Sequence, residues 1–568
     1  MGAMIVPRER VPASRVGEDR EVAPGRRART ILIILFVVGF ALRALPILWG
    51  SAWYDRSQYS MHSDEPKLIR YIDDFPDSFA VNQDYRYPTF LHNTYGVLWS
   101  VVREVTGHVD PAPAWPGTRS YEAALIFGRA LTLLVFGLGG MWLVWRFTER
   151  AFGPGPALWA LAAFNLMAWS IGSTALIQTD VPSTVGLLLV FYLLLGVERS
   201  SASSLRSATG IGAALGAAVA MKYPAAIGLV AIVIVAVHSW RRGAASPARC
   251  ALFLGVSIVA GALTFIVFVP GAVTDYELFE LALRYESTKA TDSYVPLLRV
   301  WRSLVYNLPP WVLATTAIGL VVWIRRPKSV TFTAGLICMA LYFAIMRPGF
   351  KPDYAIMFTP WAAALSGLGL WSLGRTWRAD GPRSVARAVL PALAVLVVVA
   401  GHGYSGWVVV QRYAGDTRYR FQHWVEENIP PGPIGYGPYP GLQFDWSAPR
   451  EPIGWEFVSV YEKPKWIVLA ERHYQALVRF MDDPTLFPQH SSSVPGARRL
   501  LGLTEQDFQF YEDLLLGERR DFRYELVEEL LPLDVPLDKT GKPVLFYRRL
   551  DVEPMPLEPR LPSALMDR

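Results

Sequence analysis

The stretch Ile31–Leu48 reads ILIILFVVGFALRALPIL and carries one charged side chain, that of Arg43. An α-helix of this length rises about 27 Å, which is close to the thickness of the hydrocarbon core of a bilayer. Similar apolar stretches recur as far as residue 410, and the chain of 568 residues is 52% apolar with a mean hydropathy of +0.25. The sequence therefore predicts a polytopic α-helical membrane protein and excludes an ordinary soluble protein.

The positively charged residues indicate how the chain crosses the membrane. Seven arginines precede the first span, in a basic tail at residues 1–29 that we expect to be cytoplasmic. From that start, alternate loops carry the lysines and arginines, so the net charge of +6 is a topology signal and requires no nucleic-acid partner. This register predicts about eleven spans. They are Ile31–Leu48, Ala123–Val144, Ala157–Ile171, Pro182–Val197, a pair interrupted at Met221–Pro224 that returns to Arg241, Ala251–Val269, Trp311–Ile324, Thr331–Ile345, Ala355–Leu373 and Val389–Val410.

The same register divides the chain into domains. Residues 30–410 form the predicted transmembrane domain, within which residues 50–122 are one long exterior loop. After residue 410 the composition shifts to Pro, Gly, Glu and Asp, which predicts an exterior soluble α/β domain at residues 411–568. Its predicted elements are two strands, Trp466–Ala470 and Val544–Tyr547, and a helix, Glu505–Leu516. We expect a multi-pass protein of the plasma or inner membrane, with a cytoplasmic N-terminus and an extracytoplasmic C-terminal domain.

The exterior loop contains an aromatic segment and an acidic pair. Tyr87–Val105 predicts a helix lying in the membrane interface, because a crossing there would reverse every later positive loop. Asp64 and Glu65 follow the first span, and a partly desolvated carboxylate at the membrane surface can accept a proton from a hydroxyl or bind a divalent cation. The simpler alternative is that both acids begin a helix at Pro66. A Mg²⁺ or Mn²⁺ cofactor stays open, because two adjacent acids without a third ligand do not define a metal site.

Three cations and one further acid lie on the predicted exterior side. Lys222 interrupts an apolar pair of spans, where an ammonium group needs water, a carbonyl or an anion; the alternative is a lysine that reaches the interface. Arg347 and Lys351 are natural donors to phosphate oxygens. Asp180 begins a span on the same side, and as a helix N-cap ahead of Pro182 it needs no function. Together these groups suit an anionic lipid headgroup with a leaving phosphate.

Two arginines and two cysteines lie inside the apolar stretches. Arg43 and Arg129 are in the first and second spans, where each is expected to pair with a buried acid or to reach the outer interface. Cys250 and Cys338 are the only cysteines, so the chain has no disulfide scaffold and both are expected to be core thiols.

Five motifs occur in a fixed order with the predicted sidedness. They are Asp64-Glu65 in the first exterior loop, Arg86-Tyr87-Pro88-Thr89 later in that loop, Asp180-Val181-Pro182 at the start of a span, Met221-Lys222-Tyr223-Pro224 at the end of a Gly/Ala-rich span, and Lys351-Pro352-Asp353-Tyr354 late in the chain. Over residues 31–440 this order resembles the GT-C glycosyltransferases that use dolichyl- or polyprenyl-phosphate sugars, near the protein O-mannosyltransferases and the lipid A aminoarabinose transferase.

The resemblance implies a GT-C fold and an inverting transfer of a sugar from a polyprenyl-phosphate donor to an exterior glycan, lipid or protein. It implies that Asp64 is the general base and that Glu65 supports it or a metal. It also implies that Lys222, Arg347 and Lys351 stabilise the lipid phosphate as it departs. The supporting residues implied by the shared motifs are Tyr87, Asp180, Tyr223 and Tyr354.

Two other classes of function remain open from the sequence. A transporter or flippase for an anionic lipid or solute would use the interrupted pair around Lys222 as a midplane site, and it predicts inverted repeats that inspection does not find. A catalytically inert assembly subunit would use the C-terminal domain as a binding module.

Overall fold

The computed structural model describes most of the membrane region and parts of the C-terminal region. The described residues are 26–48, 65–76, 79, 85, 88–107, 119–174, 176–200, 204–291, 308–325, 327, 329–346, 352–379, 386–414, 424–436, 456–458, 465–470, 523–530 and 544–550. The α-helices of this region are numbered here in chain order: α1 (Arg26–Ala44), α2 (Glu65–Asp73), α3 (Phe90–Thr106), α4 (Arg119–Thr132), α5 (Gly139–Phe152), α6 (Pro154–Phe164), α7 (Ala168–Thr174), α8 (Asp180–Ser200), α9 (Leu205–Met221), α10 (Gly228–Arg241), α11 (Pro247–Phe268), α12 (Gly271–Thr274), α13 (Tyr276–Thr291), α14 (Pro310–Arg325), α15 (Val330–Met346), α16 (Thr359–Ala379) and α17 (Ala386–Ala414).

Every segment predicted to cross the membrane contains helix. Among the described residues, six helices are long and apolar enough to span a bilayer, and four shorter apolar helices accompany them. The six are Arg26–Leu48, Tyr121–Phe152, Asp180–Arg199, Tyr223–Arg241, Pro247–Phe268 and Tyr354–Arg375. The chain is therefore a multi-pass membrane protein, and its count of eleven spans stays a prediction.

The third predicted span, Ala157–Ile171, is wrong as a single helix. It consists of α6 and α7, which are separated by a turn that begins at Asn165. The amide of Asn165 donates from Nδ2 to the carbonyl oxygen of Leu35 on α1, at 2.8 Å, and Ser405 of α17 donates to the carbonyl oxygen of Leu166, at 2.7 Å. The carbonyl oxygen of Leu166, freed by the break, is thus satisfied by a neighbouring helix, as a membrane interior requires.

Arg43 of α1 lies at this break. Its Nη1 donates to the carbonyl oxygen of Gly39 at 3.0 Å and to Oδ1 of Asn165 at 2.9 Å, and its guanidinium carbon is 4.9 Å from the centre of the Phe164 ring. The residue is fully buried. The expectation of a buried acid partner is therefore wrong for Arg43, because its partners are the carbonyl oxygen of Gly39 on α1 and the amide oxygen of Asn165 at the C-terminal end of α6, where the helix dipole favours a cation. The expectation that Arg43 reaches the outer interface stays a prediction.

Helices α9 and α11 lie close together along small residues. A Cβ atom added at Gly212 would collide with the backbone of Ser257, and one added at Gly216 would collide with the backbone of Gly261. Such contacts allow two helix backbones to approach within van der Waals distance. Helix α9 ends at Met221, so this packing fixes the position from which Lys222 projects.

The loop predicted to be exterior contains two packed helices, α2 and α3. The indole Nε1 of Trp99 donates to Oδ1 of Asp73 at 3.0 Å, and Arg103 donates to the carbonyl oxygens of Asp73 at 3.0 Å and of Phe75 at 3.1 Å. The C-terminal end of α2 is thereby attached to α3. Helix α3 confirms the predicted helix over most of Tyr87–Val105, although Tyr87 itself lies outside the described residues.

The other face of α3 is apolar and exposed. Its exposed side chains are Val97, Leu98, Val101 and Val105, of which Val105 is 79% exposed. A helix with one buried face and one exposed apolar face suits the membrane interface, which is the placement that the sequence predicts.

The described part of the C-terminal region is a five-stranded mixed sheet. Its strands are β1 (Pro433–Tyr436), β2 (Glu456–Val458), β3 (Trp466–Ala470), β4 (Arg523–Leu530) and β5 (Val544–Leu550), in the order β2-β1-β3-β5-β4. Both predicted strands are confirmed, since they coincide with β3 and the first part of β5. The predicted helix Glu505–Leu516 lies outside the described residues, so the α/β domain stays a prediction.

Candidate functional site

Glu65 begins helix α2 and forms a buried ion pair with Arg129 of α4. Arg129 donates from Nε to Oε1 of Glu65 at 2.9 Å and from Nη2 to Oε2 at 2.6 Å, and neither side chain is exposed. Two parallel charge-assisted hydrogen bonds of this kind fix the relative orientation of the two groups. The expectation that Arg129 pairs with a buried acid is confirmed.

The pair also joins two further segments of the chain. The backbone N–H of Ile177 donates to Oε1 of Glu65 at 2.9 Å, and Nη1 of Arg129 donates to the carbonyl oxygen of Ile47 at 2.9 Å. The start of α2 is thus attached to the end of the first span, to α4 and to the segment before α8. Asp64 precedes Glu65 directly and lies outside the described residues, so its placement and its role as a base stay predictions.

Asp180 and Lys222 form a second ion pair, in direct contact through Nζ and Oδ1. Asp180 is the first residue of α8, and Lys222 follows the last residue of α9. The two side chains are 16% and 17% exposed. Burial lowers the pKa of Lys222, but the combined effects of Asp180, Tyr342 and Tyr354 outweigh burial and raise this pKa above its ordinary value. Lys222 is therefore a permanent cation near the helix ends.

Tyr354 lies against the same cation. The Nζ atom of Lys222 is 4.6 Å from the centre of the Tyr354 ring, within the range of a cation–π interaction. Tyr354 belongs to the short 3₁₀ helix Pro352–Phe358. Arg347 and Lys351 directly precede this helix and lie outside the described residues, so their phosphate-binding roles stay predictions.

Tyr223 connects this group to the exterior loop. Its hydroxyl donates to the carbonyl oxygen of Tyr85 at 2.6 Å, and the hydroxyl of Tyr85 is 3.5 Å from Oδ2 of Asp275. Burial and the nearby charge of Asp275 raise the pKa of Tyr85 to about 12. Sequence reasoning missed Asp275 and Tyr85. The signal for Asp275 was an acid a few residues after the apolar run that ends at Val269, on the predicted exterior side.

Two of these contacts lie on one short piece of chain. Ile177, which donates to Glu65, is three residues before Asp180, which pairs with Lys222. The structure thus links Glu65, Asp180 and Lys222 through the entrance to α8, and the contact with Tyr354 extends this group. Of the predicted site residues, Asp64, Tyr87, Arg347 and Lys351 lie outside the described residues.

The described residues supply no metal centre. No group of three or more His, Cys, Asp and Glu side chains among them is placed to hold a metal ion. Both carboxylate oxygens of Glu65 accept hydrogen bonds from Arg129 or Ile177, so Glu65 does not fit as a metal ligand. The mechanism below therefore assigns no step to a metal.

Residues 122–270 match the family model described as dolichyl-phosphate-mannose-protein mannosyltransferase. The match covers about a quarter of the chain and includes Arg129, Asp180, Lys222 and Tyr223. Over these residues the chain is similar to that family, in agreement with the resemblance seen in the sequence motifs.

Two solved structures are similar to the chain at low sequence identity. One is the archaeal oligosaccharyltransferase AglB from Archaeoglobus fulgidus in complex with an inhibitory peptide and a dolichol-phosphate, at 15% identity and a TM-score of 0.44, over 78% of this chain and 69% of that chain. Another is ArnT from Cupriavidus metallidurans bound to undecaprenyl phosphate, at 13% identity and a TM-score of 0.49, over 92% of this chain and 98% of that chain. No residue role is transferred from either at this level of similarity. No curated protein sequence matches the chain.

Proposed function

We propose that this protein transfers a sugar from a polyprenyl-phosphate carrier to a glycan, lipid or protein on the exterior side of the membrane. One observation carries the proposal. The ion pair of Lys222 with Asp180 is connected, through the entrance to α8, with Glu65, the neighbour of the proposed base. A cation for a leaving phosphate and the residue next to the proposed base are thereby held by one framework.

Lys222 acts on the donor side. Its ammonium group has three N–H donors, and the contact with Asp180 uses one of them. The ring of Tyr354 stabilises the same charge from a second direction. Together with Arg347 and Lys351, Lys222 binds the phosphate of the donor and stabilises the negative charge that grows on it as the sugar leaves.

Asp64 acts on the acceptor side. As the acceptor hydroxyl attacks the anomeric carbon, the carboxylate of Asp64 takes the proton of that hydroxyl. The bond between the anomeric carbon and the phosphate oxygen breaks, and its electron pair leaves with polyprenyl phosphate. A single displacement of this kind inverts the configuration at the anomeric carbon. Glu65 holds the start of α2 through Arg129, which positions the base without touching substrate.

The test is transfer by the purified protein in proteoliposomes. The probes are undecaprenyl-phosphate-linked radiolabelled mannose, glucose and arabinose, with the envelope fraction of cells that lack this protein as the acceptor source. We expect label from at least one donor to move into a covalent product together with release of undecaprenyl phosphate. Passage of intact labelled lipid across the bilayer without a covalent product contradicts the proposal and favours a flippase.

Replacing Lys222 by methionine is expected to lower kcat/KM for the donor about 10- to 100-fold, because a charge-assisted hydrogen bond contributes about 1.5–3 kcal/mol. The KM for the acceptor is expected to stay within twofold. The measurement is the rate of product formation with each substrate varied in turn.

The matched control for Lys222→Met is Arg284→Gln, which removes one positive charge from an exposed i,i+4 pair on α13. It should leave the KM of the donor unchanged. The double variant Asp180→Asn with Lys222→Met also removes the carboxylate whose ammonium partner is lost in Lys222→Met. If the double variant folds and still uses the donor poorly, the loss is one of binding and not of folding. An equal rise in KM for the donor and for the acceptor in a folded Lys222→Met protein contradicts the role of Lys222 in binding the phosphate.

A further inference from the structure

Arginine and aromatic side chains cluster at the C-terminal ends of α5 and α8, away from the site described above. The guanidinium carbon of Arg150 lies 3.8 Å from the centre of the Tyr192 ring, and that of Arg146 lies 5.3 Å from the centre of the Trp145 ring. Arg199, near the end of α8, donates from Nη2 to the carbonyl oxygen of Arg150. Two helix ends thus present three guanidinium groups together.

Two of these guanidinium groups have no carboxylate partner within the described part of the chain. Arg150 donates from Nη1 to the carbonyl oxygen of Tyr192 at 3.4 Å, and Arg199 contacts the carbonyl oxygen of Arg150. Each guanidinium carries five N–H donors, so these contacts leave most of them available. The contact of Arg199 caps the end of α5, and the contact of Arg150 is with a carbonyl inside α8; each explains one donor and leaves the positive charge uncompensated.

The nearby acids are engaged elsewhere. Glu149 pairs with Arg146. Glu198 accepts hydrogen bonds from the hydroxyl of Ser329 at 2.8 Å and from the backbone N–H groups of Val330 at 2.7 Å and Thr331 at 3.0 Å, so it caps the N-terminus of α15. Neither of these acids therefore neutralises Arg150 or Arg199, and an anion from outside the described residues can bind there.

An apolar, exposed stripe leads to these cations. Val135 is 48% exposed, and Trp142 is 43% exposed and lies edge-on against the Tyr192 ring with ring centres 5.7 Å apart. Trp142, Arg146 and Arg150 follow at intervals of four residues, which places them on one helix face. Val135 lies in the π-helical segment Leu133–Leu138 that leads into α5, and from Gly139 to Arg150 α5 itself rises about 16 Å, which is close to the depth of one leaflet of the hydrocarbon core.

We propose that this face of α5 and α8 binds one anionic phospholipid of the bilayer. Its phosphodiester contacts the guanidinium groups of Arg150 and Arg199, and its acyl chains lie along Trp142 and Val135. Charge complementarity selects an anionic headgroup over a zwitterionic one, because basic pockets between membrane helices favour anionic lipids. The aromatic rings of Trp142 and Tyr192 occupy the headgroup boundary, which is where such rings are enriched.

The experiment is native mass spectrometry of the full chain in a neutral detergent, titrated with phosphatidylglycerol, phosphatidylcholine or inorganic phosphate. We expect the wild-type protein to retain one molecule of phosphatidylglycerol in preference to phosphatidylcholine. In the variant Arg150→Gln with Arg199→Gln, retention should fall about fivefold for each charge removed. The variant Arg150→Lys with Arg199→Lys keeps the charge and should retain most of the binding.

The matched control is Arg241→Gln with Arg242→Gln, which removes two exposed charges at the end of α10. It should retain phosphatidylglycerol as the wild type does, and the thermal unfolding midpoints of all variants report folding. Equal retention by the wild type and Arg150→Gln with Arg199→Gln overturns the proposal. An equal loss of phosphatidylglycerol in the control also overturns the proposal, as does displacement of the lipid by inorganic phosphate. Since the readout is lipid retention, its outcome is independent of sugar transfer.

Discussion

Replacing Arg129 by methionine is expected to lower the free energy of unfolding by about 3–5 kcal/mol, because the change leaves the carboxylate of Glu65 buried without a counter-charge. The side chains of both residues are wholly inaccessible to solvent, so water cannot replace the lost partner. The ion pair also carries the hydrogen bond to Ile177, and the exterior loop loses its attachment to the entrance of α8. The measurement is the free energy of unfolding in mixed micelles.

The control for this prediction is the double change Glu65→Gln with Arg129→Met. It removes the stranded charge together with its partner, so it should recover much of the stability that Arg129→Met loses. A single Glu65→Gln change, which leaves Arg129 buried, is expected to destabilise as well. An Arg129→Met protein as stable as the wild type, or a double variant less stable than the single one, contradicts the account of this pair.

Replacing Asp64 by asparagine is expected to lower kcat about 10²- to 10⁴-fold, which is the usual contribution of a positioned general base. An amide has nearly the size of the carboxylate but cannot take the proton of the acceptor hydroxyl. Because the proposed site of the lipid phosphate is at Lys222, the KM for the donor should change by less than threefold. The measurement is single-turnover transfer with donor in excess and product quantified by its radiolabel.

The matched control for Asp64→Asn is Asp74→Asn, a change of the same kind just beyond α2. Asp74 is part of an exposed i,i+4 pair with Arg70, so its loss should alter transfer by less than twofold and the stability by less than 1 kcal/mol. Unaltered transfer by a folded Asp64→Asn protein would end the claim that Asp64 is the base.

The helices of the membrane region were predictable because their apolar runs are long and their charges fall at the ends. The break between α6 and α7 was not, because nothing local to residues 157–171 ends a helix at Asn165. The break depends on acceptors and donors from α1 and α17, contributed by Leu35 and Ser405. Arg43 was noticed as unusual in its span, but its side-chain partner Asn165 lies 122 residues later in the chain.

The site residues were predictable singly and their pairing was not. Asp180 and Lys222 were both assigned to one side of the membrane, yet their contact joins residues 42 apart through the packing of α8 and α9. Glu65 and Arg129 were each recognised as out of place, and only the tertiary structure makes them partners. Asp275 was missed because the chain after the seventh span has no apolar periodicity to locate it.

The central claim is that the group formed by Asp180, Lys222 and Tyr354 is the donor-phosphate site of a glycosyltransferase. The most direct measurement is an experimental structure of the complex with undecaprenyl phosphate. We expect a phosphate oxygen within hydrogen-bond distance of Nζ of Lys222, and we expect this density to be lost in Lys222→Met. A lipid phosphate bound elsewhere, or bound unchanged in Lys222→Met, would contradict it.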